Sequence, residues 1–175
     1  YLQLMTKRTH YNDQISENGF AIINNVFSAE EVDALINIIS KVDSKNPTFR
    51  KTTELFAIRQ FLIEVPEVNA IIFNKLNPIK NKLTGKNYFA VKSIYFDKPA
   101  QSNWFVAYHQ DLTISVDKKI DLGGYGLWTT KQNQFAVQPP LHILENNFTI
   151  RIHLDATDEN NGALRVIPKS HLKGI

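Results

Sequence analysis

A chain of 175 residues, 43% hydrophobic and 21% charged, has the length and composition of a single globular domain with a sizeable core. The net charge of +3 is small, and the basic residues are scattered without an aromatic-interleaved stripe, so nucleic acid is not an expected partner. No apolar run approaches the roughly 20 residues that span a bilayer. No signal peptide is recognisable, and with no cysteine neither a disulfide framework nor a thiolate metal site can form. The default compartment is the cytoplasm, and any metal must be held by nitrogen and oxygen. The chain starts at Tyr1 and stops at Ile175 directly after a turn signal, so it reads as part of a longer protein.

In chain order, Tyr11–Asn18 is helix-like and closes on Asn18-Gly19, a pair suited to a helix stop or tight turn. Phe20–Phe27 (FAIINNVF) is β-rich and predicts a strand. Ser28-Ala29-Glu30-Glu31 is a capping box, and apolar residues at Val32, Leu35, Ile36, Ile38 and Ile39 predict a helix from about Ala29 to Lys41. Asn46-Pro47 breaks the pattern. Glu54–Ile63 reads as another helical stretch, stopped near Pro66, and Val68–Leu83 as a further one, interrupted at Asn77-Pro78.

After the turn at residues 84–87 the character changes. Tyr88–Phe96 (YFAVKSIYF) is aromatic and β-branched and predicts a strand. Asp121–Pro140 is rich in Gly, Gln and Pro and reads as a long loop with one short strand. Asn147–Leu154 alternates, with Phe148, Ile150, Ile152 and Leu154 on one face and Thr149, Arg151 and His153 on the other. Asn161-Gly162 then predicts a hairpin returning along Ala163–Ile167, ended by Pro168. Helices first and strands later give an α+β expectation.

Within AYHQDLT, His109 and Asp111 stand two residues apart. On an extended segment such residues share a face and can reach one ion together, with Gln110 on the other side or at a bend. Two imidazoles and one carboxylate on one face of Fe(II) form a facial triad that leaves three positions for O2 and a bidentate co-substrate. A single His-x-Asp is a weak signal, because a polar pair hydrogen-bonded to backbone reads the same way. His153-Leu154-Asp155 repeats the form, and at most one of the two triplets is expected to hold a metal. His10 and His142 read as surface residues.

Several motifs stand in order around the first triplet: Lys98-Pro99, His109-Gln110-Asp111, Asn161-Gly162-Ala163-Leu164 and Pro168-Lys169-Ser170-His171. In that order they resemble the phytanoyl-CoA dioxygenase family of Fe(II)- and 2-oxoglutarate-dependent oxygenases. NGFAIINNVFSAEEVDAL, residues 18–35, resembles the family's opening strand and helix. The resemblance implies that His109 and Asp111 are the metal ligands and catalytic centre. It implies that Arg151 lines the co-substrate or substrate pocket, with a salt bridge to a neighbouring carboxylate as the alternative. Gln110 and Lys51 are further co-substrate candidates; Lys51 is nearest to a lysine that the family carries upstream of its second helical stretch. His153 is expected as a hydrogen-bonded pocket residue and His171 as part of a structural Ser-His element. Trp128, in the long loop, could cover the pocket.

Two features depart from the family. Its distal His and downstream Arg have no counterpart before Ile175, and Lys169 replaces its Gly. Asp111 is retained, whereas related halogenases carry a small residue there, so hydroxylation is favoured over halogenation.

The expected fold is mainly β with packed helices, a double-stranded β-helix (jelly roll) forming one domain over residues 1–175. Its helical part runs to about residue 85, its β-rich part from about 86, and C-terminal strands are expected to be missing. The expected function is hydroxylation of a small organic or acyl substrate using Fe(II), 2-oxoglutarate and O2, with ascorbate as a candidate reductant. Two alternatives stand beside it: a non-catalytic jelly-roll binding module that has lost its triad, and a cupin-like metal enzyme that does not use 2-oxoglutarate. The primary substrate and the oligomeric state are left open.

Overall fold

The structure is a computed structural model that describes residues 10–43, 48–51, 55–85, 88–97, 106–131 and 134–175. Helix α1 (His10–Asn18) stops where Asn18-Gly19 predicts: Gly19 takes φ +86°, and its N–H donates to the Ile15 carbonyl at 2.9 Å. Helix α2 (Ala29–Ser40) starts from a complete capping box. The Glu31 N–H donates to Ser28 Oγ at 3.3 Å, and the Ser28 N–H donates to Glu31 Oε2 at 2.9 Å. The heptad-like spacing then buries Leu35 and Ile39, one turn apart, on the same face.

The following segment differs from expectation. Glu54–Ile63 is not one helix: it supplies strand β2 (Leu55–Arg59) and the short helix α3 (Phe61–Glu64). Strand β1 (Phe49–Lys51), β2 and strand β3 (Ile94–Phe96) form an antiparallel sheet in the order β1-β2-β3. A short apolar run fits a buried strand as well as a helix, and here both faces of β2 are covered: the consecutive residues Ala57 and Ile58 are both buried. Gln60, left-handed at φ +54°, makes the turn from strand to helix. Helix α4 (Asn69–Thr84) runs through Pro78 and ends at Gly85, φ +59°. Pro78 lacks an N–H, so the Asn74 carbonyl loses its usual helical donor without the helix ending.

Leu35 and Ile39 of α2, Phe49, Ile58, Phe61, Val65, Val68 and Ile72 form one buried cluster between the helices and this sheet. Phe27, Leu76, Tyr95, Ile152 and Leu154 pack around it. Helices of the first half thus cover one sheet, as expected. Phe20–Phe27 is irregular rather than a strand; Asn25 turns left-handed at φ +57°, and no neighbouring strand pairs with the segment among the described residues. Of Tyr88–Phe96 only the last three residues are a strand.

A second antiparallel sheet consists of β4 (Ile114–Val116), β5 (Gly126–Lys131) and β6 (Gln134–Gln138) in the order β4-β6-β5. The expected long loop therefore holds a hairpin, whose Thr129, Thr130, Phe135 and Val137 suit a pleated surface better than its Gly and Gln content suggests. Helix α5 (Leu141–Leu144) follows. Asn147–Leu154 and Ala163–Ile167 are not in a ladder among the described residues, although the turn between them forms: Ala163 N–H donates to the Asp158 carbonyl at 3.0 Å, and Gly162 has φ +91°. An alternating pattern makes a strand only when a neighbour completes its hydrogen bonds. The molecule is thus α+β with two small antiparallel sheets, and among the described residues they do not close into a barrel.

Candidate metal centre

Residues 106–113 carry no strand or helix, so the His109–Asp111 segment is shaped by local hydrogen bonds. The His109 Nδ1 lies 2.8 Å from the Ala107 carbonyl. A carbonyl only accepts, so Nδ1 carries the proton in that bond, and in the neutral ring Nε2 keeps its lone pair. Metal-binding histidines are commonly oriented in this way, with the far nitrogen donating to a backbone carbonyl. Nε2 lies 3.9 Å from Asp111 Oδ1. Two donors about 2.1 Å from one ion and at right angles to it sit roughly 3 Å apart, so a small side-chain rotation closes the pair onto an ion. The two side chains are 60% and 80% exposed, so no packed neighbour blocks a small turn of the Asp111 carboxylate towards Nε2. The pair therefore fits two positions of an iron site. No group of three His, Cys, Asp or Glu residues able to hold a metal occurs among the described residues.

Gln110 points elsewhere than its neighbours: its Nε2 donates to the Gly174 carbonyl at 2.8 Å. That bond uses one of two amide hydrogens and leaves the second for a carboxylate acceptor. Arg151 is exposed together with Thr149 and His153, whereas Ile152 and Leu154 pack against the core cluster. The alternation read from the sequence thus holds in burial at Ile152 and Leu154 without any strand pairing, while Phe148 and Ile150 of the same expected face stay exposed. Lys51 ends β1, and its side chain lies outside the described residues, as do Lys98-Pro99.

The members of the second triplet turn to separate partners. His153 Nδ1 is 2.8 Å from Thr157 Oγ1. Asp155 acts electrostatically on Tyr95, whose hydroxyl is pushed up to about 12 by burial first, then by Asp97 and Asp155. Tyr95 itself stacks on Phe61 at 5.6 Å. His171 Nε2 donates to the Ser16 carbonyl at 3.1 Å, within the turn Ser170–Lys173, a structural contact. Trp128 lies on β5, with the Lys119 ammonium 5.9 Å over its ring.

Sequence reasoning missed an apolar depression of about 250 Å³ lined by Tyr88, Phe89, Val91, His142 and Ile143. The Tyr88 ring meets Phe148 edge-on at 4.9 Å beside it. These residues come from two distant segments with no shared motif, and no sequence signal marks them. Its modest size and open form make it a surface groove.

A family model described as Phytanoyl-CoA dioxygenase (PhyH) matches residues 15–175, a span that includes His109, Asp111, Arg151 and the Asn161-Gly162 turn. No curated protein and no solved structure gives a significant match.

Proposed function

The chain belongs to the phytanoyl-CoA dioxygenase family, and from that premise we propose that it is a non-haem Fe(II)- and 2-oxoglutarate-dependent dioxygenase that hydroxylates a small organic or acyl substrate. Membership carries Fe(II)/2-oxoglutarate oxygenase chemistry at the level of the family. The observation that carries the reading to this chain is the His109 ring, held at Nδ1 by the Ala107 carbonyl with Nε2 beside Asp111. In this reading the two sheets belong to a jelly roll, the whole chain is one domain, and the cytoplasm is its compartment.

His109 Nε2 and the Asp111 carboxylate would hold the metal. Bound iron, with 2-oxoglutarate and O2, supplies an oxidation that places one oxygen atom in the substrate C–H bond and releases succinate and CO2. The Ala107 carbonyl keeps the imidazole in the tautomer that offers Nε2. Arg151 would pair its planar guanidinium with a carboxylate of the co-substrate in two parallel hydrogen bonds. Lys51, as a single point charge, would add a further contact to that carboxylate-rich molecule, whereas Gln110, expected from the sequence to join it, is engaged with the Gly174 carbonyl instead.

Succinate release, measured with and without candidate substrates, tests the reading. Asp111→Ala is expected to lower it at least about a hundredfold, since the ion loses its one carboxylate donor. Undiminished turnover in that variant would remove the iron assignment. Turnover that requires Fe(II) but not 2-oxoglutarate would favour a metal enzyme of another cofactor class.

A further inference from the structure

The three residues of the metal segment are not fixed by a sheet ladder, so something else must hold them. Helix α1 ends with carbonyls that have no intrahelical donors. The Asn18 carbonyl accepts from the Lys169 N–H at 2.9 Å, and the Ser16 carbonyl accepts from His171 Nε2 at 3.1 Å. The His171 ring lies so close to Gly19 that a Cβ there would stand 2.5 Å from Nδ1, and Gly19 is left-handed at φ +86°. The docking of this turn on α1 therefore needs glycine at that position. Lys169 enters the turn at φ +65°, residues 170–173 coil as a single 3₁₀ turn, and the chain emerges at Gly174. The Gly174 carbonyl then accepts from Gln110 Nε2 at 2.8 Å across a sequence separation of 64 residues.

We propose that the turn Lys169–Gly174 is a clamp that positions the His109/Asp111 pair, with His171 and Gln110 as its positioning residues. The inference rests on the iron reading above. His171 fixes the turn to α1, and the turn offers one backbone carbonyl to the residue that lies between the two ligands. Gln110 is thereby drawn to one side of the segment while its neighbours stay on the other, which limits how far His109 Nε2 and Asp111 can diverge. Preorganised donors lose less freedom when they close on an ion, so metal affinity should register the clamp.

The test is Mn(II) binding to the chain, with free Mn(II) read by electron paramagnetic resonance, alongside amide hydrogen exchange over residues 107–112. Gln110→Leu and His171→Ala are each expected to weaken Mn(II) binding roughly tenfold and to speed exchange in that segment. His171→Gln retains an amide that can donate to the Ser16 carbonyl and is expected to restore affinity to within about twofold of the parent. Affinity within about twofold of the parent in Gln110→Leu overturns the proposal, and this exposed position tests it even where His171→Ala folds poorly. Failure of His171→Gln to restore binding also overturns it, because packing of the ring rather than its hydrogen bond would then matter. A parent chain without Mn(II) affinity, or undiminished affinity in His109→Ala, overturns the iron reading and this inference together.

Discussion

Between Leu35 and Ile72, nine apolar side chains are buried, whereas from Val106 onward only Val137 and Pro139 are, among the described residues. In that second region Phe148, Ile150, Leu164, Val166 and Ile167 remain 41–60% exposed despite a comparably apolar sequence. The first region brings helices to a sheet and covers it; the second has the small sheet β4-β6-β5, turns, and an alternating segment, Asn147–Leu154, whose ladder is not made among the described residues. Yet the candidate metal ligands lie in the second. The contrast separates two jobs: burial in the first region carries stability, and individual hydrogen bonds in the second, near and distant in sequence, shape the candidate site. Substitutions should therefore divide in the same way.

The largest effect is expected at the centre of the first region. Ile58 is fully buried on β2, and Ile58→Ala removes packed methyl groups from a site enclosed on both sheet faces. A loss of about 2–5 kcal/mol is expected by urea denaturation, against less than about 0.5 kcal/mol for Ile150→Ala at an exposed position. Equal losses at the two positions would break the comparison. Next in size is Gly19→Ala, at the joint between the regions. A side chain at φ +86° is strained, and its Cβ would run into the His171 ring. About 1–3 kcal/mol of destabilisation is expected, together with faster exchange at the amides of residues 169–174.

The same division explains what could be read in advance. The capping box at Ser28 and Glu31 and the spacing of Leu35 and Ile39 located α2 because both signals are local and agree. Asn18-Gly19 likewise marked the end of α1. Glu54–Ile63 misled because four consecutive apolar residues carry no period, and only the neighbouring β1 and β3 decide for a strand. Asn147–Leu154 misled in the opposite sense: its period of two is real in burial at Ile152 and Leu154, but hydrogen bonding depends on a partner the pattern cannot specify. At the candidate site, the spacing of His109 and Asp111 pointed to two side chains on one side, and Nε2 and Oδ1 do lie 3.9 Å apart, although residues 106–113 form no strand. The bond from Gln110 to Gly174 was not legible, since its acceptor is a backbone carbonyl that any residue would offer.

A smaller effect, of opposite sign, is expected at Lys169. Its φ of +65° is costly for a residue with a Cβ and free for glycine. Lys169→Gly should therefore raise stability by about 1 kcal/mol, less the extra entropy glycine brings to the unfolded chain. A loss of stability would mean that the lysine side chain contributes more to the turn than its backbone costs. Because the second region holds little buried surface, a backbone change there is one of the few substitutions able to move its stability upward.

The smallest effect is expected at Glu31, on the surface of the first region. Its carboxyl is held below the usual range by the Ser28 N–H first and by Lys75 second, whose ammonium lies 2.9 Å from Oε2 and ties α2 to α4. A carboxyl with a lowered folded-state pKa stabilises the fold above its ordinary unfolded value near 4.5, and that contribution disappears as pH falls through the lowered folded value. Glu31→Gln keeps an acceptor for the Ser28 N–H but loses the charge facing Lys75. The parent should therefore be more stable than the variant at about pH 7, and the two urea midpoints should converge towards about pH 3. A gap of the same size at both pH values would assign the effect to the neutral capping hydrogen bond, and the α2–α4 ion pair would then add nothing to the region that carries the fold.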